Sequence, residues 1–293
     1  MRNAFIDELV ITARKNPQIA LIVGDLGYSV IEPFADEFPD RFINAGVAEQ
    51  NMTGLAAGMA SEGYHVFTYS IANFPTFRCA EQLRNDVAYQ NLPVTVVSVG
   101  GGLAYGALGY SHHAVQDYAL MRCMPNMLIA APGDPLEVRA CMRYLVSNPG
   151  PSYLRLGKAG ESDYRLQIPD VYPGALNLLQ GTLADTKAIL STGTALGAAI
   201  EWRERTYCEH SLFTVPLWSM NSKRLVADRL SSFNEIISTE DHLLDCGFGS
   251  YLLEARNLLE LPGTKIEVIA LAGEVCGEVG GEITLQRLGG LRQ

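Results

Sequence analysis

This sequence is short of the features that mark several large functional classes. It has no run of 18 or more apolar residues, which argues against a membrane-spanning helix. Positive charge is scarce: 22 Lys and Arg stand against 32 Asp and Glu, for a net charge of −10. Nucleic-acid backbones are held by basic surfaces, so this balance speaks against a nucleic-acid partner. The six cysteines, Cys79, Cys123, Cys141, Cys208, Cys246 and Cys276, show no Cys-x-x-Cys spacing. They read as free buried thiols of a reducing cytoplasm, with no metal site implied. Low-complexity tracts are missing, and no repeat of 20–50 residues is apparent. Three catalytic loops are absent as well: the Gly-x-Gly-x-x-Gly turn, the P-loop lysine motif and the Gly-x-Ser-x-Gly elbow. The first nine residues carry Asp7 and Glu8 and read as an amphipathic helix, not a signal peptide.

What remains is a soluble-type composition, 48% hydrophobic and 18% charged over 293 residues, enough for one large or two medium domains. Short apolar runs bounded by Gly and Asp alternate with segments of helical period. Strands are expected near 19–23, 42–46, 64–69, 94–99, 127–130 and 152–155, with helices between them. Such alternation with short links predicts an α/β fold whose sheet is largely parallel and flanked by helices. After Gly157 the periodicity weakens, and Pro169, Pro173 and Gly174 mark residues 161–185 as a linker. A second α/β alternation follows. The expected organisation is two consecutive α/β domains, 1–160 and 186–293.

The segment 42–60 stands out. A short strand ends at Gly46, and a helix begins with Glu49 in its first turn, where a carboxylate favours the helix dipole. Ala48, Met52, Leu55, Ala56 and Met59 share a helical face expected to be buried. Gly54 and Gly58 leave another side bare, at roughly 0.8–1.0 kcal/mol each relative to Ala, and so suggest close approach of another backbone.

Ligands of open parallel sheets bind beyond the carboxyl ends of the strands. Asp25, Glu49, Ser70 with Asn73, and Ser111-His112-His113 fall there. Adjacent His112 and His113 lack the i, i+4 spacing of a helical metal pair, so a proton-transfer or hydrogen-bonding role suits them better. Tyr69, Phe74 and Phe77 sit where a strand gives way to a helix. Each has an ordinary reading as core, and together they could wall a flat ring. The glycine-rich loop 100–109 reads either as mobile or as a backbone approach to a ligand.

Several motifs in order resemble the transketolase family along nearly the whole chain. They are Asn44-Ala45-Gly46-Val47-Ala48-Glu49-Gln50-Asn51, Gln90-Asn91-Leu92-Pro93-Val94, Ser111-His112, Pro125-Asn126-Met127 with Ala131-Pro132-Gly133-Asp134, and Thr239-Glu240-Asp241-His242 with Gly247-Phe248-Gly249-Ser250. The resemblance is to the C-terminal half of a split transketolase: a pyrimidine-binding domain followed by the family's C-terminal domain. It implies thiamine diphosphate as cofactor and transfer of a two-carbon ketol unit from a ketose to an aldose.

By that resemblance Glu49 hydrogen-bonds a ring nitrogen of the aminopyrimidine, Asp25 lies near the cofactor, and Tyr69, Phe74 and Phe77 supply its aromatic wall. His112 contacts substrate and the cofactor-bound intermediate, His113 lies beside it, and Arg155 or Lys158 holds a sugar phosphate. No residue is assigned to the metal. The diphosphate-binding half is missing, so a partner subunit is implied that carries it and most of the Mg2+ site, in an α2β2 heterotetramer. Two positions depart from the family pattern. Where transketolases carry an aspartate four residues, and a histidine twelve residues, before the loop histidine, this chain has Leu108 and Gly100. A modified or specialised sugar is therefore expected. The alternatives are a β subunit of a 2-oxoacid dehydrogenase decarboxylase, a deoxyxylulose-phosphate-synthase-like carboligase, and a non-catalytic homologue that Glu49 argues against.

Overall fold

A computed structural model describes residues 1–260 and 263–293. The first six strands are β1 (Ile19–Val23), β2 (Phe42–Asn44), β3 (His65–Ile71), β4 (Val94–Val99), β5 (Leu128–Ala130) and β6 (Ser152–Leu156). All of them pair in parallel. β1, β4 and β6 are buried at every residue, as strands covered on both faces are; β1 is apolar throughout, whereas β4 buries Thr95 and Ser98, and β6 buries Ser152 and Arg155. The remaining strands are β7 (Asn177–Gln180), β8 (Lys187–Ser191), β9 (Ser211–Thr214), β10 (Leu217–Ser219), β11 (Glu235–Leu243) and β12 (Lys265–Leu271). The first sheet runs β10-β5-β6-β4-β3-β1-β2 and the second β12-β11-β8-β9-β7. Both are mostly parallel; β10 and β7 are antiparallel edge strands. Two consecutive, largely parallel α/β units are thus present, as expected.

Three elements were not anticipated. β7 lies inside the expected linker 161–185, its weakly periodic Asn-Leu-Leu-Gln serving only as an edge of the second sheet. β10 follows Pro216 and crosses over to extend the first sheet, pairing Leu217 with Ala130 and Ser219 with Leu128. Trp218 at its centre is fully buried among Tyr118, Phe248 and Tyr251, so the two units share one apolar core. A last helix, Glu282–Leu288, packs on the second unit. The helix expected over 76–90 divides into Phe74–Phe77, Ala80–Gln82 and a wide π-type stretch, Leu83–Tyr89. Wide turns of this type are frequent near functional sites.

Helix Glu49–Ser61 forms, but its buried stripe is rotated from the expected one. Glu49, Met52, Thr53, Ala56, Ala57 and Ala60 face inward, while Leu55 is 37% exposed and Ala48 exposed. Among the described residues, nothing beyond the helix's own neighbouring turns lies within 4 Å of a Cβ added at Gly54 or Gly58, so none of them closely approaches these glycines. Only Cys79 and Cys141 are buried; Cys123, Cys208 and Cys246 are exposed and Cys276 is half-buried, which corrects the expectation of uniformly buried thiols.

Candidate active site

The carboxyl ends of β1 to β4 converge on one edge of the first sheet. Asp25, directly after β1, adopts a left-handed φ of +55° and accepts hydrogen bonds from Asn44 Nδ2 (3.0 Å) and Tyr28 Oη (3.2 Å). Asn44 Oδ1 in turn accepts from Gly46 N–H at 3.0 Å, which shapes the turn into the Glu49 helix. Glu49 is 4% exposed, and its carboxylate meets Arg78: Nη1 donates to Oε1 and Oε2, both at 3.1 Å. The Glu49 stem lies over the end of β1 beside Gly24, where even an added Cβ would make only ordinary contact, 3.8 Å from Glu49 Cγ.

From Arg78 a chain of ring contacts runs across the sheet edge. The guanidinium lies 4.0 Å over the Phe74 ring, and Phe74 meets His112 edge-on at 5.2 Å. His112 lies 6.4 Å from Tyr105, and Lys158 Nζ is 4.9 Å from the Tyr105 ring centroid. Glu49, Phe74, His112 and Lys158 are therefore brought together as one arc. Arg78 divides two hollows. One of about 480 Å³ is lined by residues 47–51, and one of about 670 Å³ by Phe74, Phe77, Tyr110, Ser111 and His113 among others. Phe77 is 47% exposed there.

The histidine loop is held from beneath. Asn73 Nδ2 donates to the carbonyl oxygens of His113 (2.7 Å) and Ser111 (3.4 Å). His112 Nδ1 pairs with Ser111 Oγ at 3.0 Å. Partial burial, Arg78 and His113 together push the His112 pKa below its ordinary value, which favours neutral imidazole. His113 is 1% exposed, its Nε2 lying 3.4 Å from the Gly106 carbonyl, so it acts as a buried prop more than a reaching group.

Two expected site residues move out of the arc. Tyr69 is 1% exposed, with its ring stacked on Phe5 at 5.8 Å; burial pushes its pKa up to about 12. It belongs to the core under the N-terminal helix and offers a ligand no face. The sequence could not tell which side of β3 faces the cleft. Arg155 is 2% exposed and fully engaged. Its Nε donates to Asp117 (2.7 Å), Nη1 to Asp241 (2.6 Å) and Tyr118 Oη (3.2 Å), and Nη2 to the Ala114 carbonyl (2.8 Å). It ties β6 to β11 and has no donor left for a sugar phosphate. Lys158 is exposed and lines an inter-unit hollow of about 440 Å³ with Glu161, Thr194, Glu282 and Arg292.

The glycine-rich loop has a tertiary explanation instead of the two offered. A Cβ at Gly100 (φ +81°) would collide with the Tyr105 ring, and one at Gly101 would come 2.5 Å from the Arg155 guanidinium. Tyr105 thus fills the space beside Gly100, while Leu108 is 57% exposed on the same loop. Other motif residues prove to be helix caps. Asp134 accepts from Glu137 N–H (2.7 Å) while Glu137 accepts from Gly133 N–H (2.8 Å). Glu240 accepts from Phe248 and Gly249 N–H (2.5 and 2.8 Å), and burial raises its pKa to about 8. Sequence reasoning missed Arg78 and Tyr105. Arg78 had a weak signal, a lone cation directly after the two phenylalanines; Tyr105 had none beyond its glycine neighbours.

Among the described residues no cluster of three or more His, Cys, Asp or Glu could hold a metal. The arc does suit a flat, nitrogen-rich ring. Glu49 presents a carboxylate at a helix N-terminus whose one protein partner is itself a planar, stacked cation, and Phe74 supplies the face for stacking.

Groups gathered in this way at the carboxyl ends of parallel strands stand where ligands of α/β sheets bind. Residues 1–160 match the family described as "Transketolase, pyrimidine binding domain". The chain is 39% identical to an apulose-4-phosphate transketolase subunit of Phocaeicola vulgatus, over 93% of this chain and 88% of that one. It is 30% identical to 1-deoxy-D-xylulose-5-phosphate synthase of Syntrophus aciditrophicus over 92% of this chain, but spans only 42% of that protein. Among solved structures, one described as "Split gene transketolase, inactive beta4 tetramer" superposes with a TM-score of 0.82 at 28% identity, covering 99% of this chain and 93% of that one. The chain belongs to the transketolase family, and it corresponds to the C-terminal half of a split transketolase.

Proposed function

We propose that this chain is the pyrimidine-binding subunit of a two-component, thiamine-diphosphate-dependent transketolase that moves a two-carbon ketol unit from a ketose to an aldose. The observation that carries the reading is Glu49: a 4% exposed carboxylate at the ligand edge of the sheet, inside the family match. When bound, thiamine diphosphate supplies an acidic thiazolium carbon and, beside it, an aminopyrimidine that accepts that carbon's proton. Glu49, buried at the start of its helix, would hydrogen-bond a ring nitrogen of the aminopyrimidine and so hold the ring in register. Phe74 and Phe77 would orient the ring by stacking and exclude water from it, and Asp25 would border the cofactor. His112, kept neutral by its surroundings and oriented by Ser111, would exchange a proton with a substrate oxygen. His113 would support it from behind, and Lys158, beside the separate hollow of about 440 Å³, would contact the sugar at its far end.

The diphosphate and Mg2+ belong to a partner subunit in this reading, and the active assembly is α2β2. The solved relative described as an inactive β4 tetramer supports dependence on a partner. Gly100 and exposed Leu108, in place of side chains that bind sugar hydroxyls or a phosphate, support a modified sugar, as does the relative named for apulose 4-phosphate. A cytoplasmic location is part of the proposal and rests on the cysteine pattern. A deoxyxylulose-phosphate-synthase-like carboligation is the second reading, supported by the likeness to that synthase over 92% of this chain.

The test is reconstitution. The purified chain alone is expected to be inactive with thiamine diphosphate, Mg2+ and a panel of ketose phosphates, and adding the diphosphate-domain subunit is expected to restore ketol transfer. Turnover by the chain alone refutes partner dependence. Product formation only from pyruvate and an aldehyde phosphate favours the second reading.

A further inference from the structure

Arg78 engages the two side chains, Glu49 and Phe74, that the reading above assigns to the cofactor ring. Its guanidinium is planar, stacks 4.0 Å over Phe74, and donates to both Glu49 oxygens at 3.1 Å. A seated aminopyrimidine would use the same Phe74 face and the same carboxylate, so the two occupants exclude each other. Arg78 is also half-exposed, at 49% for its side chain, on a long flexible stem able to swing. Its side chain is the partition between the 480 and 670 Å³ hollows. Among the described residues lining the larger hollow, Arg78 is the only lysine or arginine. That hollow is bordered by the histidine loop, and Arg155 is locked away in the core.

We propose that Arg78 exchanges partners: it holds Glu49 and Phe74 in the cofactor-free chain and, displaced by the ring, turns into the histidine-lined cleft to bind the anionic group of the substrate. This rests on the transketolase reading above. One side chain would then keep the cofactor slot closed to other ligands and bring a positive charge to the substrate only after the cofactor is seated. Glu49 is released by the same movement, which frees both carboxylate oxygens for the ring. No bond is made or broken in the exchange.

The test uses the complex of this chain with its diphosphate-domain subunit, comparing wild type, Arg78→Ala, Arg78→Gln and Phe74→Ala. Thiamine diphosphate binding is read by titration calorimetry, and KM and kcat are measured separately for a phosphorylated ketose and its unphosphorylated counterpart. Arg78→Ala and Arg78→Gln are expected to bind thiamine diphosphate about two- to fivefold more tightly, because no ion pair has to be broken. Both should raise KM for the phosphorylated ketose by about tenfold or more, with kcat changed far less and the unphosphorylated sugar unaffected. Unchanged or weaker cofactor binding in both variants overturns the proposal, and so does an equal KM change for the two sugars. If the wild-type complex binds no thiamine diphosphate and Phe74→Ala changes nothing, the transketolase reading itself falls and takes the proposal with it.

Discussion

Replacing Arg155 with methionine separates a structural from a substrate-binding role for the most deeply buried cation in the chain. The side chain is 1% exposed and pairs with Asp117 and Asp241, both 0% exposed. Arg155→Met keeps the volume and the unbranched stem but strips the counter-charge from two buried carboxylates. Breaking a buried pair in this way costs about 3–5 kcal/mol, because the surviving charges cannot be solvated. For a chain of this size that corresponds to a fall of about 10 °C in apparent Tm. Asp117 retains the Tyr153 hydroxyl at 2.5 Å and Asp241 the Thr194 hydroxyl, so each carboxylate keeps one neutral donor but no counter-charge. Adding Asp241→Asn to the methionine variant should therefore recover part of the loss, roughly 1–2 kcal/mol. Urea titration followed by far-UV circular dichroism measures all three. The reasoning is refuted if Arg155→Met leaves stability within about 0.5 kcal/mol of wild type while raising KM for phosphorylated substrate alone. That pattern would put the guanidinium on the substrate after all.

Glu49→Gln in the reconstituted complex should leave assembly intact and slow hydrogen–deuterium exchange at the thiazolium carbon by about 10²–10⁴-fold, and an unchanged exchange rate would remove Glu49 from its role. His65 is buried, its Nε2 is 2.9 Å from Thr95 Oγ1, and burial lowers its pKa to about 4. The folded chain thus binds fewer protons than the unfolded chain between pH 6.5 and 4, so stability falls as pH drops through that window, by up to about 3 kcal/mol from this residue. His65→Gln should flatten that part of the stability–pH curve, and parallel curves for variant and wild type would contradict it. Gly100→Ala should cost about 1–3 kcal/mol, from the displaced Tyr105 ring and from the left-handed φ of +81°, and Tyr105→Ala in the same chain should relieve the ring's share alone, as thermal unfolding would register. Non-additivity is the expected sign; simple addition of the two effects would show that the ring does not fill that space.

The two α/β units were legible because strands buried on both faces are predominantly apolar, as Ile19–Val23 is throughout and Val94–Val99 is apart from Thr95 and Ser98. β7 and β10 were not, since short edge strands need few apolar residues and draw their pairing from a neighbour far away in sequence. Glu49, Phe74 and His112 were read correctly as belonging to one edge, because ligand groups follow the carboxyl ends of parallel strands. Tyr69 and Arg155 were misplaced for a common reason. Both lie in strands that end at the site, and whether a side chain turns to the cleft or the core depends on what packs beneath it. For Tyr69 that is Phe5, and for Arg155 it is Asp241, 86 residues away in the second unit.

The sequence by itself determined the fold class, the succession of two α/β units and the family, since these rest on local period, turn residues and ordered motifs. The tertiary structure alone decided which polar groups meet. It put the cation after two phenylalanines onto the key carboxylate, set a tyrosine beside Gly100, and turned an arginine expected on a phosphate into a clamp between two sheets. The physical reason is that hydrophobic period is written residue by residue. Charge pairing is settled only when segments distant in the chain exclude water from the same place.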